Sequence, residues 1–146
     1  MKYQEVIQVH NINERRAHMD LQRYDIVKVK IQYDNGSTQH GVRPYVIISN
    51  PLGTKFGTII TVMPLTSKIK RTEMPVHSCI KANENNGLRE QSMALGEQIF
   101  TISKDEVIKK LGNITDKKQR YLIDKACFNG LFYGTDYKLE EGTACI

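Results

Sequence analysis

From Ile26 to Ile102 the apolar residues come in short bursts, each broken by turn chemistry, with no helical stretch between them. That punctuation predicts several short strands joined by tight connections and excludes the alternating strand–helix pattern of a parallel nucleotide-binding sheet. "YDIVKVKI" opens the series: Ile26, Val27, Val29 and Ile31 sit among lysines, a partly alternating strand with one face inward. Asp34-Asn35-Gly36-Ser37 is a turn, because Asn and Gly tolerate positive φ, and the loop runs from about Tyr33 to Gly41. Pro44 then forces Arg43 into an extended conformation. The near-continuous apolar "YVIIS" that follows reads as a central buried strand. "NPLGTKFG" reads as a loop and "TIITVMPLT" as the third strand, with Pro64 near its end, where an edge or bulge tolerates it. "MPVHSCIKA" is the fourth strand, "NENNGL" a turn, and "SMALGEQIFTI" one or two further strands.

At Ser103 the period changes. "SKDE" has the form of a capping box, Ser103 to Glu106. Val107, Ile108, Leu111 and Ile114 then recur at helical spacing and predict a helix. A second helix is predicted from Thr115 or Asp116 through "KKQRYLIDKACFNGLFYG". Short strands followed by helices argue for a mainly β fold: a small, strongly bent sheet or barrel with C-terminal helices. Residues 1–22 are polar, with a short helix expected after Asn11 or Asn13, and read as an N-terminal extension. Residues 23–134 read as the domain and 135–146 as a loose tail.

The chain of 146 residues has the size of one domain, and 40% hydrophobic with 25% charged residues is ordinary globular composition. No apolar run approaches the ~20 residues that cross a bilayer, and "MKYQEVIQVHNINERR" lacks an apolar stretch of signal-peptide type. A soluble, cytoplasmic protein with no membrane partner is expected. The three cysteines, Cys79, Cys127 and Cys145, are widely spaced and fit neither a disulfide framework nor a zinc site. His10, His18, His40 and His77 are scattered, so no metal is expected, and there is no phosphate loop, His-Glu-x-x-His or Gly-x-Ser-x-Gly. His77 and Cys79 share a strand face, but no third group is placed to orient them as base and nucleophile.

Charge is uneven. The formal net charge is +5, and between Thr54 and Arg71 stand Lys55, Lys68, Lys70 and Arg71 with no acid. Such a stretch suits a polyanion or an acidic protein, and equally reads as a solvated face. Arg43, fixed by Pro44 where a loop meets a central strand, can aim its planar guanidinium at a phosphate from a rigid base, or serve in a structural ion pair. "GSTQHG" before it offers hydroxyls and amides, with glycines that let it open and close. Thr66 ends an apolar strand beside the basic "SKIKR"; its plain reading is a strand-end threonine.

Taken together, "GSTQHGVRPYVIISN", "ITVMPLTSKIKR", "MPVH" and "LGEQIFTISK" resemble the MazF/PemK family of toxin endoribonucleases, in order and at compatible spacing from about Tyr24 to Leu111. The resemblance implies a compact SH3-like barrel, a homodimer, and sequence-selective, metal-independent cleavage of single-stranded RNA without a cofactor. It implies an acidic antitoxin as protein partner. Arg43 and Thr66 match the family's catalytic pair, and Ser37 and Gln39 fall in the loop beside the site. Lys68, His77 and Gln98 match or flank positions along the RNA groove, to which the basic stretch adds Lys55 and Phe56. This chain departs from the family in having Thr38 for a glutamate, Phe100 for an arginine, and Asn50-Pro51 where an aspartate is common. Alternatives are a non-catalytic barrel that binds single-stranded RNA, with Phe56 or Phe100 as stacking surfaces, and a gyrase-poisoning toxin of the same fold.

Overall fold

The computed structural model describes residues 20–31 and 41–140. The expected helix after Asn11 or Asn13 lies outside them, as do Ser37, Thr38 and Gln39. The strands are β1 (Asp25–Ile31), β2 (Gly41–Ile47), β3 (Ile59–Thr66), β4 (His77–Ile80), β5 (Ser92–Leu95), β6 (Phe100–Ser103) and β7 (Val107–Asn113). A short helix α1 (Pro51–Phe56) joins β2 to β3, and α2 (Lys117–Phe132) follows β7. The strands form one seven-stranded sheet in the order β4-β5-β3-β2-β1-β7, with β6 also on β3, and the pairings are antiparallel.

The path β6-β3-β2-β1-β7 has to curl, because its two ends are consecutive in the chain: only a single 3-10 turn, Lys104–Glu106, separates β6 from β7. Inward residues of all five strands therefore meet in one cluster. Val27, Val29, Tyr45, Ile47, Ile60, Val62, Ile102 and Val107 are buried together, and the Phe100 ring stands edge-on to Tyr45 at 5.6 Å. This is the small barrel that the resemblance implies. The opposite face of β2 and β3 is buried too, under α2: Val46, Met63, Leu65, Ile80 and Ala94 pack with Ile123 and Ile114.

Two sequence readings need correcting. "NPLGTKFG" is not a loop: Asn50 accepts from the Gly53 N–H at 2.7 Å and Pro51 stands in the first turn, so α1 is capped and started. Residues 107–113 are not a helix but β7, paired with β1. The capping box is real, with Ser103 and Glu106 bonding reciprocally, yet it caps only the 3-10 turn. β7 carries register shifts against β1, between Ile26/Val27 and Lys28/Val29, and each inserts a residue that breaks the two-residue alternation. Bulges thus space Val107, Leu111 and Ile114 as a helix would. One C-terminal helix remains, and Asp116 caps it by accepting from the Gln119 N–H at 2.8 Å.

α2 is fastened to the sheet by polar contacts on buried ground. Asp124 accepts from the Arg23 guanidinium at 2.7 Å and from the Tyr24 hydroxyl at 2.6 Å. The guanidinium of Arg120 lies over the Tyr24 ring, 4.7 Å from its centre. Gly130 and Gly96 bring backbone against backbone: a Cβ on Gly130 would sit 2.2 Å from the Gly96 carbonyl oxygen. The Cys127 thiol, raised above its usual pKa chiefly by burial, is a packing group and a poor nucleophile.

Candidate functional site

β3 changes partners along its length, and the change creates the site. One edge pairs with β6 over Ile59–Val62 and with β5 at Leu65 and Thr66. Pro64, which has no N–H to give, falls in the gap between them. On the other edge Tyr45 faces Pro64, Val46 faces Met63 and Ile47 faces Val62. Arg43 stands two residues before Tyr45 on β2 and Thr66 two residues after Pro64 on β3, so strand alternation puts both on the face of the Tyr45–Pro64 pair. Arg43 is half-buried and Thr66 is 6% exposed. The Thr66 hydroxyl accepts from the Lys68 N–H at 3.1 Å, which fixes the oxygen and leaves its own O–H to donate.

From Thr66 a cleft of about 410 Å³ opens between residues 67–76 and the chain after β5. Lys68, Lys70, Arg71, His77 and Gln98 line it, and Met93 and Leu95 contribute apolar surface. Three cations face one carboxylate, Glu97, so the cleft favours an anion. His77, with its side chain 7% exposed, contacts the Arg71 carbonyl oxygen through Nδ1 at 2.9 Å and Glu97 Oε1 through Nε2 at 3.0 Å.

Of the residues singled out in the sequence, Thr66, Lys68, His77 and Gln98 are brought together here, with Arg43 on the neighbouring strand. Lys55 and Phe56 are not. They sit on α1 beyond the start of β3, whose eight residues span roughly 23 Å to Thr66 at about 3.3 Å per residue. Lys55 lines a different hollow, with Arg23, Tyr24 and Arg120, and its Nζ lies 5.3 Å from the centre of the exposed Phe56 ring. Phe100 is half-buried against the barrel core, which removes it as a free stacking surface. Glu97 was missed: its tie to His77 depends on β4 pairing with β5, His77 opposite Leu95, and nothing local in the sequence signals that pairing.

Among the described residues no group of three or more His, Cys, Asp or Glu side chains is arranged to hold a metal ion, and no helix is long and apolar enough to cross a membrane.

Comparison with known proteins agrees with this architecture. Residues 22–126 match the family described as PemK-like, MazF-like toxin of type II toxin-antitoxin system. The endoribonuclease MazF of Staphylococcus saprophyticus is 33% identical over 100 residues, 68% of this chain and 82% of that protein. Among solved structures, MazF from Deinococcus radiodurans superposes with a TM-score of 0.62 at 14% identity, covering 76% of this chain and 96% of that one. An endoribonuclease in complex with its cognate antitoxin, from mycobacterial species, gives 0.61 at 20% identity, covering 76% and 94%. With that family match over most of its length and the barrel to go with it, the chain belongs to the PemK/MazF toxin family.

Proposed function

We propose that the protein is an endoribonuclease that cuts single-stranded RNA in the cytoplasm, sequence-selectively and without a metal, as the toxin of a toxin–antitoxin pair. The observation that supports this reading is the basic cleft lined by Thr66, Lys68, Lys70 and Arg71, with Arg43 on the strand paired to β3. The reaction needs few groups. The 2′-hydroxyl of the substrate attacks the adjacent phosphorus, a new O2′–P bond forms, the P–O5′ bond breaks, and the 5′-oxygen leaves with a proton. Because the nucleophile belongs to the RNA, no water has to be activated. The protein supplies alignment and charge.

Arg43 holds the phosphate and stabilises the charge that accumulates on it, and its guanidinium stays protonated throughout. Thr66 donates its O–H to a phosphate oxygen or sets the attacking hydroxyl. Lys68, His77 and Gln98 line the path of the flanking nucleotides, and Ser37 and Gln39, outside the described residues, are assigned to RNA contact on the family resemblance alone. Lys55 and Phe56 enter only with a strand long enough to reach the far end of β3. The basic cleft also suits an acidic segment of an antitoxin, which competes with RNA for it. The active species is a homodimer, as the family implies.

The test is incubation of a long single-stranded RNA with the purified protein and with Arg43→Ala, both in excess EDTA. Fragments from the wild type alone are expected, with RNA binding by Arg43→Ala only modestly weakened. Intact RNA in both lanes with salt-sensitive binding would instead identify a binding module, and cleavage surviving Arg43→Ala at near-normal rate would sink the role given to Arg43.

A further inference from the structure

Both hydrogen bonds of His77 go to groups that only accept. A backbone carbonyl carries no hydrogen, and neither does an ionised carboxylate. A neutral imidazole has a single N–H, so it can serve the Arg71 carbonyl or Glu97 but turns a lone pair toward the other. Only with a hydrogen on each nitrogen does the ring satisfy both. Its side chain is 7% exposed, and that of Glu97 is 38% exposed.

The two ends of this bridge belong to different parts of the cleft. Arg71 has a φ of 50°, in the left-handed region, and its carbonyl also accepts from the Met74 N–H at 3.1 Å; it is the bend in residues 67–76, which carry Lys68 and Lys70. Glu97 belongs to the 3-10 turn Gly96–Gln98, whose glycine is pinned against α2. His77 therefore ties the basic segment to a fixed turn across the cleft.

We propose that His77 is a proton-dependent tether: doubly protonated, it holds the Lys68–Arg71 segment against Glu97, and loss of one proton releases it. The consequence for RNA rests on the reading of the cleft given above; the tether itself does not. The charged and titratable groups facing the ring are Glu97 with Lys68, Lys70 and Arg71 on the cleft side, and Lys125 and Tyr133 of the α2 region in the hollow on its other side. Protonation makes the tether and adds a positive charge to the cleft; raising the pH removes both. His77 is thus a positioning residue, acting through the segment it holds.

Glu97→Gln separates this from a merely structural role. The amide can donate to the neutral ring, so both bonds persist after the imidazole loses its proton. The experiment follows the His77 ring nitrogens and the backbone amides of Ile69, Lys70 and Arg71 by NMR, in RNA-free protein, from about pH 5 to about pH 8.5, the range that brackets imidazole titration. In the wild type the nitrogen facing Glu97 should lose its hydrogen and the three amides should shift on the same curve. In Glu97→Gln the amides should stay in place, and in His77→Gln they should hold their high-pH positions throughout. Amides that ignore the ring's titration, or a ring already singly protonated at pH 5, would overturn the tether. A short single-stranded oligoribonucleotide titrated over the same range should bind about tenfold more weakly at the alkaline end, the scale of one charge-assisted contact. Matching NMR curves with no oligoribonucleotide binding at any pH would uphold the tether and reject the RNA reading.

Discussion

Thr66 does two jobs with one oxygen: it accepts from the Lys68 N–H and keeps a hydrogen to give. Thr66→Ala should lower kcat/KM on an oligoribonucleotide by about 10²–10³, the usual cost of a lost donor to a developing oxyanion. The thermal midpoint should fall by only about 2–5 °C, because one turn hydrogen bond is worth about 1 kcal/mol. Thr66→Ser keeps the hydroxyl and should recover most of the rate. Tyr24 carries a pH prediction of its own. Burial, the largest cause, raises its phenol above the ordinary value of 10.0, with the adjacent Arg23 pulling the other way. A folded pKa above the unfolded one gives stability that is intact below about pH 10 and is lost as pH climbs through the folded value. Melting temperature should therefore fall as the pH rises above about 10, and less steeply in Tyr24→Phe. At this scale local sequence marked Arg43 and Thr66 only as positions where an apolar strand meets a polar connection. It was silent on Asp124 and Glu97, whose partners lie 100 and 20 residues away.

Elements were legible wherever one rule acted alone. The alternation of β1, the buried run of β2 and the capped start of α2 each follow from local pattern. β7 was misread because two bulges gave a strand a helix-like period, and α1 because a helix of six residues is too short to show a period. In both cases the deciding fact is a partner: β1 for β7, the Asn50 side chain for α1. The contact between α2 and the Gly96 turn decides a contest of magnitudes. Alanine at position 130 would favour the helix by about 1 kcal/mol, but its Cβ would meet the Gly96 carbonyl oxygen at 2.2 Å, and a backbone atom cannot swing aside. Overpacking of this kind costs about 1–3 kcal/mol. Gly130→Ala should therefore lower the urea midpoint, and an unchanged or higher midpoint would refute the close approach.

At the scale of the molecule, the Asp124 clasp joins the first described turn of the chain to its last helix. Asp124→Ala strands a buried hydroxyl and a guanidinium that is 23% exposed, so the loss should be about 3 kcal/mol, at the low end for a broken buried pair. Chemical denaturation measures it. Charge acts at the same scale: if Lys68 meets a phosphate, Lys68→Ala should reduce the slope of log affinity against log salt by about 0.7, the value for one contact on a single strand. The backbone contact between Gly96 and Gly130 also bears on how such a protein can change over generations. A Cβ at Gly130 would meet the Gly96 carbonyl and one at Gly96 would meet the Ala126 and Val76 carbonyls, so drift cannot re-aim the turn that presents Glu97 and Gln98. Heritable variation in what the cleft accepts has to be written elsewhere, and residues 67–73, exposed over most of their length and reached from that turn by the His77 ring, are where it can accumulate at least cost to the fold.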